Sequence, residues 1–114
     1  MQKPVEVENA QKLTTEAMGW NPGKAFKMKK ELQQSHMLAN QVLDKKFEEL
    51  KASAPAEAKE AFENSLRLRE EALQLFVKAD KMFNPGFAKD ASMKILESWE
   101  QGLKAVEMAE GAKV

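Results

Sequence analysis

Apolar positions recur at steps of three and four residues along most of this chain, and the longest such run sets the frame for the rest. From Pro55 to Phe83, the positions Ala58, Phe62, Ser65, Arg69, Ala72, Phe76, Ala79 and Phe83 fall on one stripe of an α-helix. Ala61, Leu66, Leu68, Leu73, Leu75 and Met82 widen the stripe on its flanks. The pattern predicts a long, mostly buried helix against which the other helices pack. Asn84-Pro85-Gly86 follows it at once.

Three further stretches carry the same period. The first predicts a short helix from about Glu6 to Met18, with Leu13, Ala17 and Ala10 inward and Gly19 as its stop. In Trp20-Asn21-Pro22-Gly23, Asn21 suits an N-cap and Pro22 the first helical position, where a missing N–H costs nothing. The second helix should run from there to about Lys51, roughly 45 Å, with Met28, Leu32, His36, Ala39, Val42, Leu43, Phe47 and Leu50 inward. Ser53-Ala54-Pro55 breaks it, and a break that short between long helices makes an antiparallel hairpin. By the same capping rule Asn84 caps the last helix and Pro85 opens it. Phe87, Ala91, Ile95, Leu96, Trp99, Leu103 and Val106 should face inward, and Gly111 should end it near Glu110. Trp20 over Ala25 and Phe83 over Ala88 would staple the two helix starts. Gly102 interrupts this last pattern. A mid-helix glycine costs about 1 kcal/mol against alanine, so it marks close approach of a neighbouring helix.

These elements imply one domain over 1–114, an all-α, up-down antiparallel bundle of three long helices and one short N-terminal helix. Both Asn-Pro-Gly corners then lie at one end, and the Ser53-Ala54-Pro55 turn lies at the other, distal end. The first helix covers only the corner half. The distal half is left to three helices: either the last helix suffices to cover it, or an apolar groove remains there for another helix. Trp20 to Ala25 also aligns with Phe83 to Ala88 at an offset of 63 residues, which carries Leu13 onto Phe76, Leu32 onto Ile95 and Ser35 onto Ser98. A duplicated helix-corner-helix unit and two independently capped helix starts both account for this.

Composition narrows the chemistry. The 18 basic and 18 acidic residues cancel, which argues against a nucleic-acid partner. There is no cysteine, so disulfides and thiolate sites are excluded. No apolar run approaches the ~20 residues of a membrane span, and the N-terminus lacks an apolar signal core. The expectation is a soluble, cytoplasmic protein with no membrane partner. His36 is the single histidine, on an inner stripe; it reads as a hydrogen-bonded core or boundary residue, and a di-iron bundle needs two. One histidine and no cysteine build no nucleophilic triad, and no glycine-rich phosphate loop occurs. We therefore expect no catalysis, no metal and no cofactor. Arg69 on an inner stripe predicts a partly buried stem whose head pairs with a carboxylate on another helix.

Three functions remain. The first is a non-catalytic protein–protein interaction module, an assembly component, adaptor or chaperone-like bundle that meets a partner or itself through Phe47 and Phe62 in the distal half. The second is a small regulator or inhibitor, of the kind a phage or plasmid carries. It would bind one protein through the corner, where Lys24 and Lys27 crowd a helix start beside Trp20, Phe83 and Phe87. The third is a bundle holding a small ligand in a cavity lined by methionine and aromatic side chains.

Overall fold

The architecture is that of a computed structural model, which describes residues 3–19, 28–82 and 84–112. The chain is an all-α, up-down antiparallel bundle: α1 (Val5–Gly19), α2 (Lys29–Leu50), a single 3-10 turn (Lys51–Ser53), α3 (Ala56–Met82) and α4 (Pro85–Ala112). It measures 47 × 23 × 18 Å. No helix among the described residues is long and apolar enough to cross a membrane.

The second corner forms as its chemistry dictates. Asn84 Oδ1 accepts a hydrogen bond from Gly86 N at 2.9 Å, which satisfies one of the four free N–H groups at the start of α4. Asn84 N in turn donates to Ala79 O at 3.2 Å and closes the end of α3. The first corner and both aromatic staples, through Trp20, Ala25 and Phe83, lie outside the described residues, as does the start of the second helix up to 27. At the distal turn α3 begins at Ala56, and Pro55 O accepts from Ala58 N and Lys59 N. Gly111 does not end α4, which runs through it to Ala112.

The buried stripe of α3 is Ala58, Ala61, Ser65, Leu68, Ala72 and Ala79. Ala58, Ser65, Ala72 and Ala79 are buried as expected, but the stripe is turned toward Ala61 and Leu68: Phe62, Arg69 and Phe76 lie half-buried on its flank, and Leu66, Leu73 and Met82 are exposed. The cause is side-chain size. Small residues at heptad spacing on α3 face Ala91, Ile95, Ser98, Gly102, Ala105 and Ala109 on α4. Small against small lets two backbones approach closely, and Ser65 Oγ donates directly to Ser98 O at 2.6 Å. A Cβ placed on Gly102 would stand 3.1 Å from Leu43 Cδ1 and 3.2 Å from Ser65 Oγ, so the glycine sits where α2, α3 and α4 converge. The close approach inferred for Gly102 is present.

On α1 the buried stripe is Val7, Ala10, Thr14 and Ala17, with Leu13 half-buried beside it. This helix packs on α2 and α4. Leu32, His36, Ala39, Leu43, Phe47 and Leu50 line the inner face of α2 as expected, while Val42 and Met28 are half-buried. The 63-residue offset holds for these second helices. Leu32 and Ile95 are both buried, and Ser35 Oγ and Ser98 Oγ each donate to the carbonyl three residues back, Leu32 O and Ile95 O. For the first helices Leu13 and Phe76 are both half-buried, but the buried Val7, Ala10, Thr14 and Ala17 align with the exposed Glu70, Leu73, Val77 and Asp80.

Candidate groove between the second and third helices

Packing α3 tightly on α4 draws it away from α2. Helix α3 packs on α4 along its length and makes almost no direct backbone approach to α2. Two contacts bridge the distal part of the α2–α3 seam. Arg69 Nη1 and Nη2 donate to Asp44 Oδ2 and Oδ1, each at 3.0 Å. The Phe47 and Phe62 rings stack at 4.2 Å with their planes 7° apart. The carboxylate partner expected for Arg69 is therefore Asp44, and the fork geometry explains why arginine rather than lysine stands there. Arg69 Nε is left buried with no hydrogen-bond partner.

Above that bridge, toward the corner end, the seam is open. A groove of about 790 Å³ runs between the two helices. Leu32 to Asp44 bounds it on α2 and Leu66 to Asp80 on α3. At 1.5 Å per residue its walls are roughly 20 Å long. Its floor is apolar and buried, with Leu32, Ala72, Ala79 and Ile95. Its lips are apolar and exposed: Met37 on α2 and Leu66 and Leu73 on α3, the last 57% accessible. Polar residues alternate with them, Gln33, Asn40 and Gln41 on α2 and Glu70 on α3.

His36 stands at the floor. Its Nε2 and Thr14 Oγ1 share a hydrogen bond at 2.9 Å. Its ring lies 5.5 Å from Phe76 and 5.1 Å, edge-on, from Trp99. Burial among these groups disfavours the imidazolium and lowers the pKa to about 4. His36 is thus neutral at pH 7 and its bonding capacity is partly used within the fold, as expected of a core or boundary histidine. Trp99 Nε1 donates to Asn40 Oδ1 at 2.9 Å, which ties a second groove residue to α4. No group of three or more His, Cys, Asp or Glu among the described residues is placed to hold a metal ion.

The sequence-derived residues fall in three places. Phe47 is buried and Phe62 half-buried, and their stack helps close the distal half, so that of the two alternatives there the closed one holds. Three helices suffice there, because Phe47, Leu50, Val106 and Ala109 fill the space that α1 does not reach. Phe87 is half-buried in the first turn of α4. Trp20, Lys24, Lys27 and Phe83 lie outside the described residues. The opening is instead in the corner half, since α1 covers the α2–α4 side and leaves α2–α3 bare. Leu66 and Leu73 carried the signal: they stand on the α3 flank away from the small-residue stripe and are exposed.

No protein-family model matches the chain, and no curated protein or solved structure is significantly similar to it.

Proposed function

We propose that this chain is a non-catalytic interaction module that receives one apolar-faced helix of a protein partner in the α2–α3 groove. The observation that carries the reading is the exposed leucine pair on the lip. Leu66 and Leu73 stand seven residues apart on one face of α3, opposite Met37, over a buried apolar floor. Exposed aliphatic side chains rimming a buried apolar slot are the usual mark of a surface that another element covers. A slot between two helices, roughly 20 Å long, suits side chains spaced at i, i+3, i+4 and i+7 on an incoming helix. Three polar groups of the groove are engaged within the fold: His36 by Thr14, Arg69 by Asp44 and Asn40 by Trp99. That supports a binding surface rather than a reaction centre.

A photo-crosslinking residue placed in turn at Met37, Leu73 and Met93 tests this in the native host. Met93 is an exposed apolar residue on α4 outside the groove. The same protein should be captured from both lips and not from Met93. Capture from Met93 alone, or different adducts from the two lips, would count against the reading.

A second reading has one observation in its favour. A volume near 790 Å³ lies within the ~300–1,000 Å³ of ordinary ligand pockets, and Met18, Met37, His36 and Phe76 line it. A small apolar ligand would leave the purified protein heavier than its chain by native mass spectrometry. A partner helix would not.

A further inference from the structure

The two lips of the groove differ in charge, and the difference describes what they fit. Resting on the docking reading above, we infer that the helix received by the groove is basic along the edge that meets α3. On the α3 lip, Leu66, Glu70 and Leu73 follow one another at steps of four and three. They present an exposed carboxylate between two exposed leucines. Neighbouring acids are occupied: Asp44 by Arg69, and Glu71 by Arg67 and Lys94 at 3.5 and 3.3 Å. Glu70 has no ion pair among the described residues. On the α2 lip Gln33, Met37 and Gln41 are uncharged, and Asp44, at the level of Glu70, is neutralised by Arg69. Lysine also lines the groove at Lys89, from α4 and nearer the corner end.

An amphipathic helix laid in this slot puts its apolar stripe between Leu66, Leu73 and Met37. One flank then runs over Glu70 and the other over the glutamines. A lysine or arginine on the first flank completes an ion pair whose partner is already fixed on a rigid helix. An acidic residue there meets Glu70 at close range beside apolar surface, where like charges repel strongly. A neutral polar flank suffices on the glutamine side, because an amide both donates and accepts. The occupant is therefore a partner helix with an apolar stripe and at least one basic flank.

The test uses the full chain and two synthetic helical peptides with the same leucine and alanine stripe, one with lysine on its flanks and one with glutamate. Affinity is measured by fluorescence anisotropy at low and high salt. The lysine peptide should bind about 10-fold more tightly at low salt, with the gap narrowing as salt screens it. Glu70→Lys should reverse the preference, so that the glutamate peptide becomes the better ligand. Leu73→Asp should abolish binding of both. Residues 70 and 73 are exposed, and unchanged thermal unfolding of each variant checks that the fold is intact.

Three results would overturn the inference. If the lysine preference persists in Glu70→Lys, the basic flank is wrong while helix docking stands. If both peptides still bind Leu73→Asp, or neither binds the wild-type chain, the docking reading itself falls. If the purified chain is a dimer that Leu73→Asp splits, the occupant is a second copy.

Discussion

Substituting Gly102 tests the convergence of α2, α3 and α4 at a single atom. Alanine in place of a helix-interior glycine gains about 1 kcal/mol from backbone entropy, and in an open position that gain is realised. Gly102 is not open. The new Cβ would stand 3.1 Å from Leu43 Cδ1 and 3.2 Å from Ser65 Oγ. Each neighbour would have to give by a few tenths of an ångström, and both are held. Leu43 is fully buried, and Ser65 Oγ is fixed by its 2.6 Å bond to Ser98 O on the preceding turn of α4. Overpacking of a held core costs about 1–3 kcal/mol. The clash therefore exceeds the gain, and Gly102→Ala should destabilise the chain by about 1 kcal/mol, a fall in Tm of about 4 °C for a domain of this size. Gly111 supplies the control, because a Cβ there meets nothing within 4 Å. Gly111→Ala should be neutral or stabilising by up to about 1 kcal/mol, less where the helix end frays. Urea and thermal unfolding of the two variants decide it. If Gly102→Ala proves as stable as Gly111→Ala, the three helices do not converge as closely as described.

Four other outcomes follow from the same packing. His36 titrates near 6.5 when unfolded and about 4 when folded, so the unfolded state binds more protons between those values. Stability present above pH 6.5 should be lost as pH falls through 4, by roughly 3 kcal/mol, and His36→Phe should lack that part of the slope in pH-dependent urea unfolding. Arg69→Lys should lose the two-pronged contact with Asp44 and cost about 1 kcal/mol, with a double-mutant cycle against Asp44→Asn showing coupling. Asn84→Ala should cost about 1 kcal/mol in thermal unfolding through loss of the α4 cap. Phe47→Asp should unfold the chain by circular dichroism rather than merely weaken an association, because Phe47 is 5% accessible and stacked on Phe62.

Much of this fold was legible because local rules and packing agree. The Asn84-Pro85 start of α4, the short turn after Leu50, the inner face of α2 and the glycine at 102 each followed from capping or period alone. The face that α3 buries followed only in part. Ala58, Ser65, Ala72 and Ala79 of the expected stripe are buried, yet the helix turns their flank at Ala61 and Leu68 inward and leaves the larger Phe62, Arg69 and Phe76 half-buried. Size complementarity with Ser98 and Gly102 on α4 decides that rotation, and it is a property of the pair rather than of either helix. The groove was not legible for a related reason. Helix lengths pointed only to the half that α1 does not cover, where the last helix could suffice. Which face α1 covers matters more than how far it reaches: it lies across α2 and α4 and leaves the α2–α3 seam bare beside it. Pairings of this kind depend on three-dimensional neighbours that spacing along one helix does not encode.

Whether a helix fills the corner half of the α2–α3 seam can be read from the chain's own methionines. Met18 and Met37 line the groove, whereas Met82 and Met93 are exposed elsewhere. With the methionine methyl groups carbon-13 labelled, the full chain is titrated with the leucine- and lysine-bearing peptide and followed by NMR. Shifts at Met18 and Met37, with Met82 and Met93 unmoved, are the predicted result. Shifts confined to Met82 or Met93, or none at Met37 once peptide is bound, would contradict the account.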